Sequence, residues 1–374
     1  MKLHTANKYL SSLSQVSEKG MAARFASLRE STFAALGADA AFSILLIVSG
    51  EEHSYVCRAT AAALAYAGHS ATLLNLDPSA PAEALVRIGQ SHAGDDEVAE
   101  VVTAIRQSAI ALGLTPTMIE AKLLCALALC SRKGCKNIIL GFDPSRVSRA
   151  FFDIIPPSRT VALLPSEVSA ADSVAIVRKG VLELISAPRG EEEYRAISSV
   201  CAAVNCRHSV ISRSAITSPA LTYRGIEFFY KNRKYAIRGH SESMIMAALS
   251  SVLAACALER RGFKISESDV GATLPDVAVE YGCRIASYNP CVVAVICRNG
   301  TLSPQLKSDV ERICSYFNKT PYVFSAHEGG GTLDATLQLC QGDEYALCIE
   351  GDAAFVQKNL NVLSEWIAHS QKNQ

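Results

Sequence analysis

The segment that most constrains this chain is Phe42-Ser43-Ile44-Leu45-Leu46-Ile47-Val48, a near-continuous apolar run followed by Gly50 and then by the alanine-rich stretch from Arg58 to Gly68. A run of that length is a strand buried on both faces, and an alanine-rich stretch after a tight turn is a helix packed back against it. This is the unit that cradles phosphates in nucleotide-binding α/β proteins. The turn has the wrong chemistry for that task. A phosphate loop needs glycines for close backbone approach, a lysine for the β/γ oxygens and a Ser/Thr hydroxyl for magnesium. Here the turn reads Gly50, Glu51, Glu52, His53 and Ser54, with Tyr55 next. Two carboxylates repel a triphosphate, bulky side chains crowd the cradle, and there is no lysine.

Further along, Ala71 to Pro78, ending in a turn, Asn137 to Gly141 and Thr160 to Leu164 read as buried strands, and Asp95 to Leu112 and Thr117 to Cys130 as helices. Strands alternating with helices of this length predict right-handed βαβ units around a parallel sheet. Residues 1 to 40 read as two short helices that bracket the first strand. Leu221 to Tyr230 reads as antiparallel edge strands, with turns at Gly225 and at Lys231-Asn232. Met244 to Glu259 is an apolar helix closed by Gly262, and Ser266 is the N-cap of the next. A boundary is expected at Tyr281 to Arg284, after which strands at 292–296, 321–324 and 345–349 alternate with helices at 304–317, 333–339 and through Trp366. The predicted domains are therefore 1–40, a helical bracket of the central domain, 41–283, the central parallel-sheet domain, and 284–374, a smaller C-terminal α/β domain.

Charge narrows the function. The chain carries 36 basic and 36 acidic residues among 374, a balance that predicts no nucleic-acid partner and no anionic membrane surface. No apolar run reaches the ~18 residues of a membrane span. The first residues lack the apolar core of a signal peptide, so a cytoplasmic protein is expected. Thirteen cysteines in such a chain argue against a disulfide framework. Cys130/Cys135 and Cys201/Cys206 are each separated by four residues, looser than a zinc knuckle, and read as small buried hydrophobes.

The order of landmarks resembles the Mur ligase superfamily, and within it folylpolyglutamate synthase/dihydrofolate synthase. Ile47-Val48-Ser49-Gly50 stands where that family has its glycine-rich phosphate loop, and Thr117-Met118-Ile119-Glu120 resembles its segment ending in F-E. Val177-Arg178-Lys179-Gly180-Val181 is similar to K-A-G-I, and Ile237-Arg238-Gly239 to the start of L-x-G-x-H-Q-x-x-N. Arg261 to Ile265 matches R-G-F-x-I, Gly282-Cys283-Arg284 falls at a G-R linker, and Gly342-Asp343-Glu344-Tyr345 resembles a G-D-x-V strand. The resemblance implies a Mur-ligase-like central P-loop-type parallel sheet domain followed by a smaller Rossmann-like domain. It also implies an ADP-forming acid–amino-acid ligase that uses ATP, magnesium and a carbamylated lysine.

The chemistry of that family is absent at the matching positions. Ser54 and Val56 replace the phosphate-loop lysine and hydroxyl, Leu140 to Arg146 replaces the acidic glycine motif, and Ser241, Glu242 and Ile245 replace H-Q-x-x-N. Val295 to Gly300, including Arg298, replaces D-G-A-H-N-P. Magnesium, lysine and backbone jointly neutralise a transferring phosphoryl group, so losing all of them predicts an inactive protein. The expectation is a pseudoenzyme with no cofactor and no metal, binding a partner such as an active ligase or another cytoplasmic enzyme. The alternative is a divergent ATP- and magnesium-dependent amide ligase whose nucleotide site has moved. Its candidate site is the loop Glu328, Gly329, Gly330, Gly331 and Thr332, a glycine-rich helix N-terminus. Other cleft candidates are Glu120, which either orients a ligand or serves the helix dipole, and Asp143 with Arg146, at a strand's carboxyl end or in a local ion pair. Lys179 is either the carbamylation site or a solvated lysine, and His53 stands at the old phosphate position, where one histidine makes no catalytic constellation.

Overall fold

A computed structural model of the chain describes residues 1–14, 20–38, 42–48, 53–76, 81–88, 91–135, 137–142, 151, 154–155, 160–164, 176–177, 181–188, 190–279, 282–287, 292–297, 304–325 and 344–372. Its contacts fall into two units. One comprises Met1–Ser212 with Ser250–Val270, the other Arg213–Leu249 with Gly271–Gln374.

The first unit opens with α1 (Leu3–Ser12) and α2 (Met21–Leu36), then β1 (Ser43–Val48) and α3 (His53–Tyr66). Next come β2 (Thr72–Asn75), β3 (Val86–Ile88), β4 (Ser91–His92), α4 (Asp95–Ala111) and α5 (Met118–Arg132). It continues through β5 (Asn137–Phe142), β6 (Thr160–Leu164), β7 (Val181–Ser186), α6 (Glu191–Ala203) and β8 (Arg207–Val210). The sheet order is β4-β3-β2-β5-β1-β6-β7-β8, parallel from β2 to β8, with β3 and β4 added as an antiparallel margin. The apolar run from residue 42 thus becomes the inner strand β1, flanked by β5 and β6. Ile44, Leu74, Ile138 and Leu140 point into one core with the faces of α1, α2, α4 and α5. α5 is buried on nearly every face, from Met118 to Cys130, because it lies beneath α1, α2 and α4. Each fully buried leucine, such as Leu123, Leu124 or Leu127, contributes about 1.5–3 kcal/mol by leaving water.

α7 (Ser243–Glu259) gives its first residues to the second unit and the rest to the first, which also takes most of α8 (Glu267–Thr273). Ser266 caps α8 as the sequence predicts: its hydroxyl accepts from the Asp269 amide at 3.3 Å, and Asp269 accepts from the Ser266 amide at 2.7 Å.

The second unit holds two sheets. β9 (Ile216–Thr222), β10 (Gly225–Tyr230) and β11 (Arg233–Ile237) form an antiparallel sheet of their own, rather than an edge of the parallel one. Its second turn places Lys231 and Asn232 at φ 49° and 62°, the left-handed pair that a tight hairpin requires. The other sheet comprises β12 (Gly282–Ser287), β13 (Val293–Cys297), β14 (Thr320–Ser325) and β15 (Tyr345–Gly351), in the order β12-β13-β15-β14, with α9 (Pro304–Tyr316) and α10 (Ala353–Lys372). β13, β15 and β14 are parallel and β12 is antiparallel to β13. The expected linker at Gly282-Cys283-Arg284 is therefore the start of strand β12, and the contact division places β9 to β11 with this C-terminal sheet. The helix expected at 333–339 lies outside the described residues.

Candidate functional site

β1 runs parallel between β5 and β6, so its carboxyl end and the start of α3 occupy the edge where doubly wound sheets bind ligands. Gly50, Glu51 and Glu52 lie outside the described residues. α3 begins at His53, Ser54 is half-buried, and the next two side chains turn into the protein. Val56 is 0% exposed and Tyr55 3%. The Tyr55 hydroxyl is buried with no hydrogen-bond partner among the described residues, and burial raises its pKa far above a free phenol's. Burial likewise pushes the Cys57 thiol up to about 12, which removes it as a nucleophile.

Glu120 is at the third position of α5, and its carboxylate is fully buried. It accepts from the Thr117 amide and the Thr117 hydroxyl, both at 2.7 Å, while its own amide donates to Thr117 Oγ1 at 3.4 Å. Arg24 of α2 closes the arrangement, with Nε 2.9 and 3.1 Å from the two oxygens and Nη2 2.9 Å from Oε2. A capping box and a two-pronged ion pair use the whole carboxylate inside the protein. Of its two expected roles, the local structural one matches this geometry. Asp143, Arg146, Lys179, Arg298, Glu328, Gly329, Gly330, Gly331 and Thr332 lie outside the described residues.

The second unit contains a groove of about 920 Å³, walled by the β9–β10 turn, the end of β11, Pro275, Asp276, Ala278 and Val279, Arg284 and Ile285 of β12, and Val356 and Gln357 of α10. Arg224, Arg238 and Arg284 line it, against Glu227 and Asp276. Arg238 lies 3.5 Å from Asp276, and Glu227 is paired with Lys234 at 2.8 Å. Among the described residues Arg224 and Arg284 have no carboxylate partner, so the groove carries an excess of guanidinium. His240 fastens β9 and β12 behind it: Nε2 is 3.0 Å from the Thr222 carbonyl and Nδ1 3.3 Å from the Ile285 amide. These bonds fix Nε2 as the protonated nitrogen, donating to Thr222, with Nδ1 accepting. Burial lowers the His240 pKa to about 4, so the ring is neutral at physiological pH. Among the described residues the lining has no serine, cysteine or histidine. Its chemistry is recognition of an anion by planar guanidinium groups.

No family model and no curated protein matches the sequence. Solved structures do. The folylpolyglutamate synthetase of Lactobacillus casei is 12% identical and covers 97% of this chain and 100% of its own, with a TM-score of 0.71. The folylpolyglutamate synthase of Thermotoga maritima is 13% identical, covers 97% and 96%, and has a TM-score of 0.68. The bifunctional folylpolyglutamate synthase/dihydrofolate synthase of Yersinia pestis is 13% identical, covers 97% and 98%, and has a TM-score of 0.64. The chain has the folylpolyglutamate synthase fold, a Mur-ligase-like α/β fold. At these identities the likeness is one of fold.

In a folylpolyglutamate synthase-like fold, the position implied for magnesium nucleotide is the start of α3. Two of the described residues there bear on that expectation. An aliphatic side chain, Val56, cannot ligate a metal, and Tyr55 places in the same turn a buried hydroxyl with no hydrogen-bond partner among the described residues. Sequence reading missed two further features. One is the arginine-lined groove. The other is Glu183 of β7, fully buried and hydrogen-bonded to Arg260 and, at 2.9 Å, to the Ser209 hydroxyl, with Arg207 and Arg261 3.8 and 3.9 Å away. Arg261 also donates to the Leu182 carbonyl at 3.0 Å, so this cluster ties the end of α7 to β7. A glutamate inside a strand-length apolar stretch, followed later by Arg260-Arg261, was the available signal.

Proposed function

We propose that this chain is a catalytically inactive relative of the folylpolyglutamate synthase fold, which has lost nucleotide binding at the β1–α3 turn and serves as a binding or partner subunit. The observation that carries this reading is the first turn of α3, where Val56 points inward at the position a phosphate-binding turn needs for a hydroxyl, Ser54 stands at that of its lysine, and Tyr55 between them is buried. A lysine and a metal ligand supply most of the electrostatic stabilisation in phosphoryl transfer, and no described residue of this turn replaces them. The partner is a protein such as an active ligase of the same fold or another cytoplasmic enzyme. The test is ADP release from Mg·ATP, measured with a mixture of dicarboxylic and amino acids as acceptors. The reading expects no release above a heat-denatured control, and sustained turnover would contradict it.

The groove of the second unit favours a companion reading, in which the protein also holds a small anionic ligand without transforming it. Arg224 and Arg284 support it, since guanidinium groups that line a groove and have no carboxylate partner among the described residues are favourable partners for carboxylate or phosphate. No helix among the described residues is long and apolar enough to cross a membrane.

A further inference from the structure

The ends of α3 and α7 are built alike and meet. At each, a left-handed glycine follows the last turn, Gly68 at φ 82° and Gly262 at φ 91°. The amide of His69 donates to the Leu64 carbonyl at 2.8 Å, and that of Phe263 to the Leu258 carbonyl at 3.2 Å. Inner bonds run from Gly68 to Ala65 at 3.0 Å and from Gly262 to Glu259 at 2.9 Å. This is the Schellman cap, which sets a residue beyond the helix against one in its last turn. The two caps are joined to each other. The rings of His69 and Phe263 meet edge to face with centroids 5.4 Å apart, and the Lys264 amide donates to His69 Nε2 at 3.0 Å.

Both caps line one cavity of about 240 Å³ in the first unit, at the amino ends of the parallel strands. Leu45 of β1 and Ile139 of β5, partners in the sheet register, line it together with Leu64 and Leu258 of the caps. These four are 3%, 1%, 2% and 7% exposed. Ala71 and Phe263 are half-buried and Arg261 reaches solvent, so they form the rim. Arg261 is the one charged residue of the described lining. The other polar side chain, Asn137, is bonded to the Ser70 carbonyl at 3.3 Å. Arg261 stands 3.9 Å from Glu183, a carboxylate it shares with Arg260, Arg207 and the Ser209 hydroxyl. One carboxylate among three guanidinium groups leaves a surplus of positive charge at the cavity's mouth.

We propose that this cavity is a binding site for a small aromatic carboxylate, with its rings among Leu45, Leu64, Ile139 and Leu258 and its carboxylate on Arg261. An apolar cavity of about 150 Å³ stays dry and takes benzene, so this larger one suits a two-ring aromatic. The guanidinium at the rim supplies the charge-assisted hydrogen bonds that fix the orientation. The site lies at the opposite end of β1 from the turn into α3 and in a different unit from the arginine-lined groove. It is therefore independent of both.

The test is calorimetric titration of the intact protein with naphthoate. One molecule is expected to bind per chain, about tenfold or more tightly than the neutral naphthamide, which cannot form the charge-assisted bond. Excess citrate and Arg284→Ala, which act at the groove of the second unit, are expected to leave that binding unchanged. Ala71→Phe, which fills the cavity from its rim, is expected to abolish it. Hydrogen exchange of the parent locates the site without any variant: naphthoate is expected to slow exchange over residues 64–71 and 258–264. Absence of binding at millimolar naphthoate would overturn the proposal, as would equal affinity for the amide, displacement by citrate, or protection confined to other segments. Parental affinity in a folded Ala71→Phe protein would overturn it as well.

Discussion

Arg24 of α2 lays its guanidinium across both oxygens of the buried Glu120 carboxylate, at 2.9 and 3.1 Å from Nε. The contact joins a helix of the N-terminal bracket to the start of α5. Both oxygens of the Glu120 carboxylate are thereby engaged within the protein.

Removing that fastening is expected to affect stability alone. Glu120→Ala deletes a helix cap and strands a largely buried arginine, a combination that costs about 3–5 kcal/mol. Urea denaturation reads it. A loss below about 0.5 kcal/mol would return Glu120 to the ligand-binding candidates.

His240 makes stability pH-dependent. Its pKa falls from an ordinary 6.5 to about 4 in the folded protein, so below pH 6.5 the unfolded chain binds the proton more readily. The stability it contributes is full above pH 6.5 and is lost progressively as pH falls toward 4, by up to ~3 kcal/mol. His240→Asn, which keeps a donor for the Thr222 carbonyl, is expected to flatten that part of the stability-against-pH curve. An unchanged slope in the variant would contradict the assignment.

Gly225 meets a steric limit. A Cβ there would stand 1.7 Å from the Ile237 carbonyl oxygen, at a backbone φ of 146°. Gly225→Ala is expected to cost about 3 kcal/mol or more by separating β10 from the end of β11. A melting temperature equal to the parent's would show that the hairpin lacks this close approach.

The groove is testable with citrate as a multivalent anion. Citrate is expected to raise the melting temperature, and Arg284→Ala to weaken its binding about tenfold or more, the loss of one charge-assisted hydrogen-bonding group. Equal binding by parent and variant would remove Arg284 from the site.

Much of the fold was legible because its strands are buried on both faces. β1 and β5 announce themselves as apolar runs, and the left-handed residues that end the helices are mostly glycines. β7 was missed because Glu183 interrupts its pattern, and that glutamate is tolerated only because arginines from distant segments surround it. β12 was read as a linker because Gly282 and Arg284 are poor strand signals taken alone. The groove was invisible for a different reason: its walls come from short segments far apart in the chain, none with a motif of its own.

The most direct test of the central claim is isothermal titration of the parent protein with ATP, with and without magnesium, alongside ADP. The account predicts no magnesium-dependent heat at physiological nucleotide concentrations. Saturable, magnesium-dependent binding would contradict it and restore a nucleotide site to this fold.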